Sequence, residues 1–243
     1  TNLFFEVFNS VLIRFGIRIL NFFTFIIIVN SLDESNAGNY FFLISILNLF
    51  SISALSGFQD TLIRSVARIK SQFIRHSAKY NFLGSVFGSF ILFVLYFVYK
   101  NETNQISLGI LALAIFNPFI HGLISWKSYL LGKEEFIKFT SLEFLNSALV
   151  NTTILIFIFF FDADFLKMII IYILYPSIIN VIKTILIRKI IFKSKKRSKK
   201  YKKEINFSFK ASFVDIFPTF AKEIDRLVIY SLVGPAAIVI LNT

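Results

Sequence analysis

Apolar residues run along this chain in long stretches separated by short polar segments. A helix needs about 20 mostly apolar residues to cross the hydrocarbon of a bilayer. The stretches 12–32, 40–58, 81–99, 108–126, 144–161, 166–187 and 211–232 come close to that length. They predict an all-α polytopic membrane protein with about seven transmembrane helices. Polar residues inside two of these runs are ordered. In the first, Glu6, Ser10, Arg14, Arg18, Asn21 and Thr24 recur in steps of four and three, which is one helix face. In the last, Asp215, Thr219, Lys222 and Arg226 follow a 4-3-4 spacing, with Glu223 and Asp225 beside them and Pro218 one turn before Lys222.

Ionisable groups at membrane depth are costly and as a rule face a cavity or a partner. The stripe in the last run therefore reads as the charged wall of a hydrophilic cavity, with Pro218 as a bend. Its alternative is internal pairing, Lys222 with Asp225 or Arg226 with Glu223, that only neutralises the helix. The first stripe reads as a water-lined face, or as snorkelling of Arg14 and Arg18 to headgroups. Other polar positions carry weaker signals. Asn117, His121 and Ser125 lie one turn apart beside Pro118, where a packing histidine is the expectation. The run Gly84-Ser85-Val86-Phe87-Gly88-Ser89 predicts close helix packing, and Ser147, Asn151, Thr152 and Thr153 predict hydrogen bonds between helices.

Charge orders the connections. Loop 33–39 has Asp33 and Glu34 and no base, loop 100–107 has Lys100 and Glu102, and loop 162–165 has Asp162 and Asp164. Loop 59–80 carries Arg64, Arg68, Lys70, Arg75 and Lys79, and loop 127–143 carries Lys127, Lys133 and Lys138. The segment 188–210 holds eleven Lys/Arg and one acid, nearly all of the formal net charge of +12. Lys and Arg thus concentrate in every second connection, which predicts a cytoplasmic N-terminus, with the regions around Lys133 and Lys200 cytoplasmic and Asp33 and Asp162 outside. The chain divides into a six-helix lobe at 1–187, a cytoplasmic polybasic connection at 188–210, and at 211–243 the first helix of a second lobe with the start of the next. In loop 59–80, Asp60, Arg64, Arg68 and Arg75 either touch an anionic headgroup or serve only to orient the chain.

Composition sharpens the class. Of 243 residues 56% are hydrophobic, 33 are Phe and none is Cys. No disulfide framework, cysteine-based metal site or cysteine nucleophile is available. The net charge invites a nucleic-acid reading, but outside 188–210 almost none is left to track phosphates. The two histidines, His76 and His121, lie in different contexts, and no GxSxG, HExxH or Walker A pattern occurs. The expectation is a protein that is not an enzyme and uses no cofactor. The first residue is Thr, and the last apolar run continues to Leu241 without a stop signal, so the chain reads as part of a longer protein. Its first run is not a cleavable signal, because Arg14 and Arg18 interrupt it.

Ala37-Gly38-Asn39-Tyr40-Phe41 follows the first span, and Leu55-Ser56-Gly57-Phe58-Gln59-Asp60-Thr61-Leu62-Ile63-Arg64 stands at the end of the second. Near the C-terminus, Pro218 is followed by Ile224-Asp225-Arg226, then Val233-Gly234 and Ile240-Leu241-Asn242. In these segments and in span layout the chain resembles the polysaccharide exporters and Wzx-type lipid-linked oligosaccharide flippases of the MOP superfamily, the last segments being similar to the family's seventh span and the approach to its eighth. One departure is Asn30-Ser31, where the family often has Arg before the first external loop.

The resemblance implies two six-helix lobes. It also implies export of an undecaprenyl-pyrophosphate-linked glycan by alternating access through a cationic cavity in the bacterial cytoplasmic membrane, with membrane lipids and a coupling ion (H+ or Na+) as further partners. Arg14, Arg18, Arg64, Lys222 and Arg226, with Asp215 and Asp225 as counter-charges, are the candidate cavity residues. Cations in a low-dielectric cavity bind pyrophosphate strongly, and Asn, Ser, Thr and Tyr suit sugars. The runner-up is a MATE-type cation-coupled drug exporter using Asp215, Glu223 and Asp225, against which the four cations of the two stripes weigh. A membrane-embedded glycan polymerase or acyltransferase is disfavoured by the short outward loops, and a scaffold gains nothing from mid-membrane charge.

Overall fold

The computed structural model describes residues 3–68, 73–100, 104–161, 164–193 and 201–237. Expectations placed on Lys70, Glu102, Asp162, on the basic residues between 195 and 200, and on Ile240-Leu241-Asn242 lie outside them. Every regular element among the described residues is helical: α1 (Leu3–Ser31), α2 (Glu34–Phe50), α3 (Ser56–Ala67), α4 (Ile74–Tyr99), α5 (Asn104–Asn117), α6 (Ser125–Gly132), α7 (Phe136–Phe160), α8 (Phe165–Lys193) and α9 (Lys202–Val233). A 3-10 segment, Ser51–Ala54, joins α2 to α3, and a π-helical turn, Pro118–Gly122, follows α5. Asp33 starts α2 by accepting from the backbone N–H of Asn36, which supplies one of the hydrogen bonds a helix N-terminus lacks.

Six stretches are long and apolar enough to cross a membrane: Phe5–Ser31, Glu34–Ala54, Ile74–Tyr99, Gln105–Gly132, Phe136–Phe160 and Phe165–Lys189. Two are composite, α2 with the 3-10 segment and α5 with the π turn and α6. The outer faces of α1, α4 and α7 expose Phe15, Phe22, Phe87, Phe90 and Phe159, as hydrocarbon-facing helices do. The seventh expected span is α9. Its 32 residues rise about 48 Å, but its charges keep it out of the apolar set.

Packing places α9 instead. Near its start, Ser208 and Ser212 lie against Gly57, where a Cβ would come within 2.2 Å of the Ser208 carbonyl oxygen. Near its end the Tyr230 hydroxyl donates to Asn39 Oδ1 at 2.7 Å, and its ring stacks on Phe42 at 3.8 Å. The helix thus runs antiparallel along α2, the 3-10 segment and α3.

The helices outreach the expected spans. The segment 188–210, expected as a connection, is helical through Lys193 and again from Lys202. Lys and Arg are good helix formers, and cations at the end of α8 complement its dipole. The larger core cluster joins α2, α5 and α8 around Phe42, Leu43, Ile110, Leu113, Met168 and Ile169. A smaller one, with Phe58, Leu62, Phe73, Tyr129 and Tyr201, closes the end where α3, α4, α6 and α9 meet.

Candidate functional site

Three helix irregularities meet inside the bundle. The 3-10 segment ends at Leu55, whose backbone is left-handed (φ 51°), and it packs against α4 where Gly84 and Gly88 leave room. The π turn begins at Pro118, which has no N–H to continue the ladder. Pro176 sits within α8. Backbone groups freed at such breaks have no water to turn to in hydrocarbon and need protein partners. Asn180 supplies them: its amide donates to the carbonyls of Phe119 at 3.1 Å and Ile120 at 2.8 Å, and its oxygen accepts from Trp126 Nε1 at 2.9 Å. Thr184 bonds the carbonyl of Leu123 at 3.1 Å, and Asn117 bonds that of Ser85 at 2.7 Å.

Two contiguous clefts open at this level. One, of about 380 Å³, is lined by Asn21, Asn48, His121, Asn146 and Asn151 and by the rings of Tyr40, Phe41 and Tyr172, with no Asp, Glu, Lys or Arg. The other, of about 440 Å³, shares Ile120, His121, Asn146, Ser147 and Pro176 with it and continues past Trp126 to Lys127 and Glu143. Those two pair at 3.2 Å, so the charge they bring is balanced. His121 Nε2 and Asn146 Oδ1 are buried without a hydrogen-bond partner. Both residues line the clefts, while Ser45, Asn81, Ser85, Ser89 and Asn117 hold other such atoms away from them. Together the clefts offer amides, one imidazole and aromatic faces.

The first stripe is divided. α1 packs along α7, and the stripe meets a matching one there. Ser10 is buried beside Thr140 (3.5 Å), and Asn21 accepts from Ser147 at 2.8 Å and Asn151 at 2.7 Å, the interhelical bonding expected of α7. Asn21 and Thr24 also line the first cleft. Arg14 is exposed, with its guanidinium 5.8 Å from the Phe139 ring, and Arg18 is exposed as well. Neither arginine lines the clefts.

On α9 the side facing the bundle carries Ser208, Ser212, Asp215, Thr219, Glu223, Arg226 and Tyr230. Ser208 donates to Thr61, Ser212 accepts from the Gly57 N–H at 3.0 Å, and Asp215 accepts from Ser56 at 2.6 Å. Glu223 is 2% exposed and pairs with Arg226 at 3.2 Å, the internal pairing weighed above. Lys222 and Asp225 are exposed. Arg64 stands apart at the far end of α3, 5.4 Å over the Phe207 ring, in a separate cleft between α3 and α9. The structure thus joins Asp215 and Arg226 on one face of α9 and leaves the seven candidate residues outside the two mid-depth clefts.

Sequence reasoning missed Asn48, Asn146, Asn180 and the Lys127–Glu143 pair. The available signal was the Pro-linked breaks at 118 and 176, which mark where unwound backbone needs amide partners. Among the described residues, no three His, Asp or Glu side chains gather as metal ligands.

An all-helical membrane bundle with composite spans and polar clefts at the breaks defines a class, the polytopic membrane proteins that enclose a polar site within the bilayer. The chain belongs to the polysaccharide biosynthesis protein family, whose model it matches over residues 6–243; these are the polysaccharide exporters and flippases of the MOP superfamily. No curated protein and no solved structure matches it. Family and fold together describe a membrane transporter connected with polysaccharide.

Proposed function

We propose that the protein flips an undecaprenyl-pyrophosphate-linked oligosaccharide across the bacterial cytoplasmic membrane by alternating access, coupled to H+ or Na+. The observation that carries this reading is the uncharged cleft built of Asn21, Asn48, Asn146, Asn151 and tyrosine rings where helices are interrupted. Amides exchange hydrogen bonds with sugar hydroxyls, and aromatic faces stack on sugar rings, so the cleft suits the glycan. The pyrophosphate is assigned to the cations of α1 and α9: Arg14, Arg18, Lys222 and Arg226. Glu223 pairs with Arg226, and in this reading Asp215 and Asp225 are the counter-charges of the other cations when cargo is absent. In the two-lobe arrangement of this proposal, 1–187 form the first lobe and α9 is the first helix of the second. The acidic groups of α9 weigh against a drug exporter, since Asp215 is held by Ser56 and Glu223 by Arg226.

Complementation of a strain lacking the chromosomal copy tests the reading. Lys222→Gln is expected to abolish export of the polysaccharide at normal protein levels, and Lys222→Arg to retain part of it. Asn146→Leu is expected to lower export by changing the cleft alone. Normal export by Lys222→Gln would remove α9 charge from the mechanism, and normal export by Asn146→Leu would remove the cleft.

A further inference from the structure

The cleft at the end of α3 shares no lining residue with the two mid-depth clefts. It measures about 340 Å³ and is lined by Thr61, Arg64, Ser65, Arg68, Lys203, Glu204 and Phe207. Arg64 stands in the last turn of α3 and Arg68 caps its C-terminus, and Lys203 projects from the first turn of α9. All three are exposed, and among the described residues none forms an ion pair. With Glu204 the only acid in the lining, two positive charges are in excess. Clustered cations of this kind bind phosphate esters, and guanidinium groups do so with two parallel hydrogen bonds.

A second feature adjoins the first. From Phe207 at the edge of the cleft, Val214 and Phe217 follow at steps of seven and three along one face of α9, exposed by 46%, 65% and 65%. From Phe207 to Phe217 the helix rises about 15 Å. That equals one leaflet, since the hydrocarbon core is about 30 Å thick.

We propose that this cleft binds the phosphodiester headgroup of an acidic glycerophospholipid, with one acyl chain lying along Phe207, Val214 and Phe217. A free phosphate has no use for the apolar stripe. A polyprenyl chain outruns a stripe one leaflet long, whereas an ordinary acyl chain matches it. The cleft also sits at the end of the bundle where α3 stops, beyond the apolar stretch Glu34–Ala54. Such a lipid would tie α9 to α3 from outside, at the end where Ser208 and Ser212 tie them from inside. The proposal does not depend on the transport reading.

The test is lipid titration of the purified full-length protein, read by native mass spectrometry. Dioleoylphosphatidylglycerol is expected to remain bound. The triple variant Arg64→Gln/Arg68→Gln/Lys203→Gln is expected to lower its affinity about a hundredfold. Dioleoylphosphatidylcholine is expected to bind both proteins equally. Arg64→Lys/Arg68→Lys should retain most of the affinity, and Val214→Asn/Phe217→Asn should lower it with the cations intact. If the triple variant does not fold, Arg68→Gln alone is expected to move affinity in the same direction. Equal phosphatidylglycerol affinity in wild type and cation variants would overturn the proposal. Displacement by millimolar inorganic phosphate would show a free-anion site and overturn it too. Preferential retention of undecaprenyl phosphate, with the same dependence on the three cations, would make the cleft a docking point for cargo and overturn the glycerophospholipid assignment.

Discussion

One absent side chain sets the distance between α3 and α9. A Cβ on Gly57 would stand 2.2 Å from the Ser208 carbonyl and 2.6 Å from the Ser212 nitrogen, both backbone atoms that cannot turn aside. Gly57→Ala is therefore expected to push the helices apart, at a cost of about 1–3 kcal/mol. A lowered thermal midpoint of the purified protein checks it, and an unchanged midpoint would contradict the packing described. The charges of α9 teach a different lesson at this scale. The 4-3-4 spacing from Asp215 put Lys222 on the buried stripe, yet Glu223 is buried there and Lys222 is exposed. At 100° per residue the two flank the same face to similar degrees, so periodicity alone does not choose between them. A neighbour chooses: Arg226 lies one turn on and pairs with Glu223 at 3.2 Å.

At the scale of elements, the apolar runs made six spans legible, but neither the π turn at Pro118 nor the proline within α8 was read as a break. Hydrogen bonding of α7 to another helix through Ser147 and Asn151 was legible, though its partner Asn21 read as part of a water-lined stripe. The 3-10 segment was not, since Ser51–Ala54 contains neither Gly nor Pro and Leu55 takes up a left-handed conformation that its side chain disfavours. What imposes it is tertiary, the close approach of Ser53 to Gly84 and Gly88. The mid-depth clefts were equally hidden, because their lining comes from α1, α2, α3, α6, α7, α8 and the π turn. Asn180 is the sharpest element-level test. Asn180→Leu leaves the Phe119 and Ile120 carbonyls and the Trp126 N–H unpaired, at about 1–3 kcal/mol for each buried group. A loss of at least about 2 kcal/mol in a denaturant titration in detergent is expected, and a variant as stable as wild type would mean that those groups find other partners.

Across the whole molecule, the ends of the helices divide into two levels. Asp33 lies where α1 gives way to α2. Lys133 lies where α6 gives way to α7, and Gly132 beside it packs on Val66 near the end of α3, the helix that follows the composite second span. The distribution of Lys and Arg proposes that the level of Lys133 is cytoplasmic. In this cysteine-free chain, Asp33→Cys is expected to react with an impermeant maleimide in intact cells, and Lys133→Cys only after permeabilisation; the reverse pattern would invert the orientation. The amide of Asn180 has a mechanical consequence at this scale. It fastens α8 to the unwound stretch between α5 and α6 at three points, and Thr184 adds a fourth. Asn21 fastens α1 to α7 in the same manner on the other side of the first cleft. The bundle therefore holds two amide-fastened groups of helices, tied to each other by the Thr153–Tyr175 hydrogen bond and the Lys127–Glu143 pair.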